Sequence, residues 1–337
     1  GCDQMHYGIS AAGALAKHLD YNLSTSIRHI SKLSPIVDKG FMVLDSFTIK
    51  NLEIFNSLAS QGLHGTLIEC IDKTKTPGGG RLLRKNLMSP LYDIKKINIR
   101  LDTVEAFIDN PDILKNVRTD LKNVSDIQRI LGRLNKAKAS PKDLYALAKT
   151  LEKIPYWQTS FRSKRNKILL DFSKSFLDTS EIFKKIKDII SKNTPSHISG
   201  GNVINYGISE ELDELRLIMQ SGKKWIKSLE NSLRDKLKIP KLKIKFNKIF
   251  GYFIEITKSH QKKIPESFVR KQTLVNSERY ITEELKQYEE KILNAEENIF
   301  LIESRIFNDL CNEIFKKISL LQKNASIINY LDFLTSL

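Results

Sequence analysis

The stretch KLKIKFNKIFGYFIEIT, residues 241–257, decides the fold because apolar side chains recur at every second position along much of it. A period of two is typical of β-strands, and Asn247-Lys248 stands between two such runs, where a turn is expected. The first run separates apolar side chains, expected to pack inward, from lysines, expected to face outward: Leu242, Ile244 and Phe246 against Lys241, Lys243 and Lys245. Such lysines lie about 6.6–7 Å apart, which roughly matches the phosphate spacing of a nucleic-acid strand. Residues 269–274 are a candidate third strand.

Heptad patterns flank this stretch on both sides. Their apolar positions are Leu212, Leu215, Met219, Gly222, Ile226, Leu229 and Leu233 before it, and Leu285, Tyr288, Ile292, Ala295, Ile299, Ile302 and Ile306 after it. Alternating steps of three and four residues are typical of helices that pack along a seam. A second helix running from Glu283 to about Lys316 would be roughly 50 Å long. The patterns predict an antiparallel helical arm with a small basic sheet at its tip, and an ordinary α+β domain with basic strands is the alternative.

The rest of the chain is predicted to be helical, so the fold class is mainly α, with a helical core, two long antiparallel helices and a small inserted antiparallel sheet. Residues 10–19 carry a short helical signal, and residues 36–44 are a candidate strand. Residues 193–207 are rich in Gly, Ser and Asn and are expected to form a loop. Thr76-Pro77 is predicted to be the N-cap and first residue of a helix. Four prolines are expected to mark the limits of further helices: Pro90, Pro111, Pro141 and Pro155.

Charge is distributed unevenly along the chain. The 337 residues include 55 Lys and Arg against 39 Asp and Glu, a formal net charge of +16. Residues 222–282 hold sixteen basic and five acidic side chains, a net charge of +11, whereas residues 283–313 hold nine acidic and three basic, a net charge of −6. A lysine bias spread over the whole chain, as an AT-rich genome produces, does not create such blocks. The distribution favours a localised module that binds an anionic partner, most often nucleic acid.

The sequence offers no catalytic or metal-binding constellation. Its three cysteines, Cys2, Cys70 and Cys311, are far apart and form no CxxC pair, which is typical of a reducing, cytoplasmic compartment. The histidines form no HExxH motif, and no GxxxxGK[ST] phosphate loop is present, so neither a metal nor a nucleotide site is predicted. No apolar run approaches the roughly 20 residues of a membrane span, and no signal peptide is visible. Because the chain begins with Gly1, we expect a fragment of a longer protein.

Several motifs resemble the MutS family of DNA mismatch-repair proteins. Residues 243–256 (KIKFNKIFGYFIEI) and 270–280 (RKQTLVNSERY) resemble the family's clamp signature, and residues 283–286 (EELK) resemble the start of its returning lever helix. Residues 74–83 (TKTPGGGRLL) resemble its Thr-Pro-x-Gly-x-Arg-Leu element, and residues 210–215 (EELDEL) its outgoing lever. The opening of the family's core domain is resembled by Asp45, Thr48, Asn51, Leu52 and Glu53.

The resemblance covers essentially residues 40–335, with the motifs in the family's order, and it implies a domain organisation. The expected domains are the end of a connector domain (1–35), a helical core (36–209), an outgoing lever helix (210–234), a β-rich clamp (235–282), and the returning lever helix with further core (283–337). Two departures stand out. The family often has Lys or Arg where Val275 stands and Tyr where Ile208 stands.

The resemblance also implies a function in binding duplex DNA. MutS proteins are dimers that encircle duplex DNA; their clamp holds the backbone without reading sequence, and their levers carry its position to an ATPase. For the full-length parent we therefore expect a DNA-dependent ATPase with ATP and Mg²⁺, a homodimer and a MutL-type partner. For this chain we expect double-stranded DNA as partner, no membrane, no catalytic residue and no cofactor, because the mismatch-reading and ATPase domains are expected to lie outside it.

The candidate DNA-binding residues come from two sources. The family's backbone-contacting positions fall on Asn247, Arg270, Lys271 and Asn276, and local charge adds Lys245 and Lys248. Two aromatic residues are possible stacking platforms for bases, but packing in the core is expected for both: Trp225 and Tyr252. The alternative function is a helical scaffold whose basic tip binds an acidic protein or RNA. Binding that is specific for duplexes, independent of sequence and steep in salt distinguishes the two.

Overall fold

A computed structural model describes residues 5–22, 33, 40–164, 166–247 and 251–337, the side chain of Lys262 excepted. They form two compact units. The helical unit comprises the described residues up to Thr194 together with Asp309–Leu337, and the arm unit is Pro195–Asn308. The expected fold class, mainly α with a small antiparallel β insertion, is confirmed. Throughout the described ranges, every helix is too short or too polar to cross a membrane.

The helical unit is built from short helices that precede residue 195 and one long helix that follows residue 317. They are α1 His6–Asn22, α2 Ser46–Asn51, α3 Leu67–Ile71, α4 Pro77–Met88, α5 Ile94–Ile108, α6 Pro111–Leu121, α7 Ile127–Asn135, α8 Pro141–Leu151, α9 Lys153–Arg162, α10 Lys167–Ser175, α11 Ser180–Ile189 and α14 Ile318–Ser336. Between them, α13 (Glu283–Lys316) contributes its last residues, from Asp309 onward.

Helix α14 is the centre of the helical unit, since it packs against α4, α5, α6 and α7. One buried cluster joins Phe333 and Leu334 of α14 to Ile68 and Leu83. Burial of such side chains is the main stabilising contribution to a helical core. Helix α14 therefore organises helices that precede it by more than 180 residues.

The glycine-rich start of α4 is a helix N-terminus packed into the core, as expected. Thr76 is the N-cap, and its hydroxyl accepts a hydrogen bond from the Gly79 amide at 2.9 Å. The fully buried Asp332 carboxylate accepts bonds from the Lys75 and Thr76 amides and the Thr76 hydroxyl. A Cβ on Gly78 or Gly79 would collide with α14. An internal carboxylate thus occupies the place at which an anion would meet this helix.

Three of the four prolines stand at helix limits as expected, since Pro90 follows the end of α4 at Met88 and its cap Ser89. Pro111 and Pro141 are the first residues of α6 and α8, whereas Pro155 lies in the first turn of α9, where its missing N–H costs nothing. Of the candidate strand at residues 36–44, residues 36–39 lie outside the described residues, and the described residues 40–44 form no strand, so this part of the prediction is wrong. Within the described part, Phe41 forms an isolated antiparallel bridge with Leu91.

The arm unit consists of two long helices and a four-stranded antiparallel sheet. Helix α12 spans Glu210–Leu237, and α13 begins at Glu283, so the predicted returning helix is found with its expected limits. The strands are β1 Lys243–Asn247, β2 Gly251–Thr257, β3 Val269–Thr273 and β4 Ser277–Ile281, in the spatial order β1-β2-β4-β3. Short 3-10 segments occupy Ile198–Gly200 and Lys258–Lys263. Strand β4 was not predicted from the sequence.

The two heptad patterns form one seam between α12 and α13. Gly222, where the first pattern breaks, is buried at a close approach, because a Cβ there would lie 2.7 Å from Cγ1 of Ile292. Trp225 stacks on Tyr288 with ring centroids 3.5 Å apart. The expectation that Trp225 packs rather than presents a platform to bases is confirmed.

A buried ion pair closes the other end of this seam. The guanidinium of Arg216 donates to Glu303 at 2.7 Å and to the Ile204 carbonyl at 2.7 Å, and Glu303 also accepts from the Val203 amide. Both charged side chains are buried. Removing one partner of a buried ion pair is strongly destabilising, because it leaves the other charge buried without a counter-ion. The loop before α12 is therefore fixed to both helices of the arm unit.

Candidate nucleic-acid interface

The strand register places two of the predicted DNA-binding residues at opposite ends of the sheet. Asn247 pairs with Gly251 at the start of β2, whereas Thr257 at its end pairs with Ser277. Asn276, which precedes Ser277, therefore lies beyond the far end. The seven residues of β2 span about 20 Å. The two asparagines are therefore separated by about the length of β2.

The strand order separates the predicted cations across the sheet, perpendicular to the strands. Lys245 lies on β1 and Arg270 and Lys271 lie on β3, which are the two edge strands. Three strand spacings of about 4.8 Å place the edges about 14 Å apart. Lys248 lies outside the described residues. The described candidates therefore lie in three places rather than in a single cluster. These are the β1 edge with Lys245 and Asn247, the β3 edge with Arg270 and Lys271, and the turn between β3 and β4 with Asn276.

The β3 edge carries a bulge at Lys271. The register with β4 shifts between Arg270 and Gln272, so Lys271 is an extra residue that the ladder does not pair. Bulges of this kind bend an edge strand and re-aim its side chains. Lys271 is exposed, and the side chain of Arg270 is 58% exposed. Both cations can reach an anion in solvent without rearrangement of the sheet.

Arg270 has an internal acidic neighbour. Its Nη1 lies 3.4 Å from Oε1 of Glu278, which is buried and accepts a hydrogen bond from the Tyr280 hydroxyl. Burial, together with this hydrogen bond, raises the pKa of Tyr280 to about 12. The hydroxyl therefore stays a donor at neutral pH and holds the carboxylate beneath Arg270.

The turn between β3 and β4 presents Val275 and Asn276 to solvent. The Leu274 amide donates to the Ser277 carbonyl at 2.8 Å, and the Asn276 carbonyl accepts from the Lys258 amide at 3.3 Å. Val275, where the family often has a cation, is 87% exposed. The backbone of Asn276 is thus fixed while its side chain remains accessible.

The opposite end of the sheet is anchored on α13. Gly251 adopts a φ of +72°, and a Cβ there would collide with the carboxylate of Glu289. That carboxylate accepts a hydrogen bond from the Tyr252 amide, while burial raises the pKa of Glu289. Only glycine combines this backbone conformation with so close an approach. The Gly251-Tyr252 motif therefore has a structural role.

The inward and outward faces of β1 are close to expectation, with one difference. Leu242 is fully buried, and Lys241, Lys243 and Lys245 are exposed as predicted. Phe246, expected to pack inward, is 49% exposed because it lies on an edge strand, and its ring centroid lies 5.0 Å from that of Tyr252. Tyr252 itself packs against the core cluster of the arm unit, as predicted.

Arg279 is a cation of this face that sequence reasoning missed. Its guanidinium lies over the ring of Phe253 at 4.4 Å and donates to Gln272 Oε1 at 2.7 Å. Its Nε lies 3.8 Å from Oε2 of Glu255. The signal available was its position in the basic block, but its side-chain direction depends on β4, which was not predicted. Among the described residues, no group of three or more His, Cys, Asp and Glu side chains could hold a metal ion.

Known proteins resemble this chain over its full length. The family model of MutS domain III matches residues 47–337. The DNA mismatch repair protein MutS of Salinibacter ruber is 39% identical over 332 residues, which cover 98% of this chain and 37% of that protein. The proteins of the same name from Flavobacterium johnsoniae and Methanococcoides burtonii are 39% and 38% identical, over 100% of this chain and 38% of each protein. The chain spans less than two fifths of the length of these curated relatives.

Proposed function

Since this chain belongs to the MutS family of DNA mismatch-repair proteins, we propose that its arm unit holds the backbone of duplex DNA without reading the sequence. The family match also confirms the resemblance that the motifs predicted. Phosphates are the same at every base pair, so a surface that contacts only phosphates positions DNA but carries no sequence information. The proposed contacts are Asn247, Lys248, Arg270, Lys271, Asn276 and Lys245.

One observation supports this proposal above the others. The block of residues with a net charge of +11 includes all four strands. Its exposed cations lie on both edges of the sheet and beside the turn between β3 and β4: Lys243, Lys245, Lys258, Arg270 and Lys271. Cations that neutralise phosphates release bound counterions, which gives affinity for any duplex. A platform for bases is disfavoured because Trp225 and Tyr252 are engaged in packing.

The two long helices of the arm unit are suited to transmitting the position of the sheet along their length. The seam between α12 and α13 is closely packed at Gly222 and fixed at the other end by the buried pair of Arg216 and Glu303. Closely packed elements have low compressibility and transmit strain along their length. We infer that they couple the clamp to an ATPase domain outside this chain. ATP with Mg²⁺, homodimerisation and a MutL-type partner belong to the same proposal for the full-length parent.

The double substitution Arg270→Ala with Lys271→Ala tests the proposed function. Binding of labelled duplex, matched or mismatched, should weaken equally, because the lost contacts are to phosphates. The slope of log affinity against log salt should flatten by up to about two units. Lys115→Ala with Lys122→Ala removes the same charge from exposed positions of the helical unit and should leave the slope unchanged. A slope unchanged by the first pair would refute the assignment of Arg270 and Lys271.

A further inference from the structure

A chain of polar contacts crosses the outward face of all four strands of the sheet. Lys245 on β1 donates to Glu255 Oε1 on β2 at 2.7 Å. The other oxygen of Glu255 lies 3.8 Å from Nε of Arg279 on β4, and Arg279 donates to Gln272 on β3 at 2.7 Å. Glu255 is the only carboxylate in this chain of contacts, and it faces both cations.

The position of Glu255 is set by strand pairing rather than by chance contact at the surface. In the register it stands opposite Lys243 on one side and Arg279 on the other, and its side chain is mostly buried, at 22% exposure. Residues directly opposite lie about 5 Å apart and diagonal neighbours about 7–8 Å apart, within reach of a long side chain, so the register keeps Glu255 beside Lys245 on its diagonal and beside Arg279. Arg279 is held in turn over Phe253. The charge of Glu255 is therefore a fixed feature of this face.

A fixed carboxylate beside Lys245 opposes the binding of a phosphate in two ways. The ammonium group of Lys245 must leave Glu255, or share its protons, before it can donate to a phosphate oxygen. The remaining carboxylate would then lie within a few ångströms of the phosphate, well inside the Debye length of about 10 Å at 0.1 M salt, and repel it. Counterion release follows the number of phosphates neutralised, so Lys245, whose ammonium group lies 2.7 Å from Glu255, adds less to affinity than an unpaired lysine, whereas Arg270 is 3.4 Å from its carboxylate and 58% exposed.

We propose that Glu255 is an internal counter-ion that limits the strength and salt dependence of DNA-backbone binding by holding Lys245, an inference that rests on the proposed function. In a protein that must move along duplexes, a grip that is weakened from within permits dissociation and sliding. The β1 edge then contributes less than its lysines suggest, and the β3 edge, where Lys271 is exposed, contributes more. Glu255 acts as an affinity-setting residue through Lys245 and is not itself a DNA contact.

Replacing Glu255→Gln in the whole chain tests this directly, since glutamine keeps the shape and removes the charge. Affinity for a labelled duplex should rise about five- to tenfold at 0.1 M salt, and the log–log salt slope should steepen by up to about one unit, as expected for one additional phosphate contact. In a Lys245→Ala background the same replacement should change affinity less than about twofold, because the cation that it releases is absent.

Glu266→Gln is the matched control. Glu266 is an exposed carboxylate of the same stretch with no ion pair among the described residues, so its replacement changes the net charge equally. An equal rise in affinity for Glu266→Gln and Glu255→Gln would overturn the proposal in favour of a general charge effect. Unchanged or weaker binding by Glu255→Gln would also overturn it.

The two proposals fail separately. If Arg270→Ala with Lys271→Ala lowers the salt slope and Glu255→Gln does not raise affinity, the counter-ion role is wrong and backbone binding stands. If Arg270→Ala with Lys271→Ala changes neither the affinity for duplex DNA nor the salt slope, the proposal of backbone binding by this face is itself wrong. Should Glu255→Gln lower the melting temperature of the sheet, Glu255→Ser repeats the measurement with a smaller neutral side chain, and a rise in affinity is again required.

Discussion

The carboxylate of Asp332 illustrates how much of the helical unit depends on one side chain. It accepts hydrogen bonds at 2.7–3.1 Å from the Lys75 amide and from the amide and hydroxyl of Thr76. Asp332→Ala leaves these buried donors unsatisfied, and we expect it to lower the free energy of unfolding by about 3 kcal/mol. Asp309→Ala, at an exposed position, should change it by less than about 0.5 kcal/mol. Chemical denaturation followed by circular dichroism measures both, and equal losses would show that the Asp332 contacts contribute nothing specific.

Single residues also show that the sequence predicts local contacts but not contacts between residues far apart in the chain. The capping role of Thr76 is local, because an N-cap bonds to an amide three residues onward, and it was predicted. Its partner Asp332 is 256 residues away and carries no local signal. The same limit applies to Arg279 and Glu255, whose contacts depend on strand pairing. Lys271 was a candidate contact from the family resemblance, but the bulge that presents it was not predicted.

Gly222 decides how closely the two long helices approach. In most helices Gly→Ala is stabilising by roughly 0.5–1 kcal/mol. Here the added Cβ would lie 2.7 Å from Cγ1 of Ile292, so we expect Gly222→Ala to destabilise the arm unit by about 1–3 kcal/mol. Gly132→Ala in α7 is the matched control, because its Cβ would meet nothing within 4 Å, and it should be stabilising. Thermal melting of both variants measures these effects, and a higher melting temperature for Gly222→Ala would contradict the close approach of the helices.

The long helices and the first two strands were predictable because their patterns repeat within a short window. Strand β4 was missed because its buried positions include Glu278, which breaks the apolar alternation of a strand. The order β1-β2-β4-β3 is likewise a property of pairing between segments, and no pattern within β3 or β4 specifies it. The distribution of candidate DNA contacts over two edges and a turn follows from that order, so the candidates could be named from the sequence but their arrangement could not.

On the scale of the whole chain, the basic block and most of the acidic block that follows it belong to the same unit. The +11 block lies wholly within the arm unit, whose continuous stretch is Pro195–Asn308, while the helical unit is assembled from segments on both sides of it. Each unit has a buried cluster made of its own residues: Leu83 with Phe333 in one, and Ile226, Ile254 and Leu285 in the other. Units with separate cores can unfold separately.

Replacing residues 239–281 with a short Gly-rich linker tests this separation. The helical unit should keep its melting transition, because the residues of its buried cluster all lie outside the replaced stretch. The arm unit should lose protection where Ile226, Leu285 and Ile292 packed against the sheet, so the adjoining ends of α12 and α13 should fray while the seam near Arg216 and Glu303 persists. Hydrogen exchange measured by mass spectrometry resolves these regions, and circular dichroism should report a helix content only slightly reduced. Duplex binding should be lost, because the replaced stretch holds all the proposed DNA contacts. Loss of protection throughout α4 and α14 would instead show that the sheet is required for the helical unit to fold.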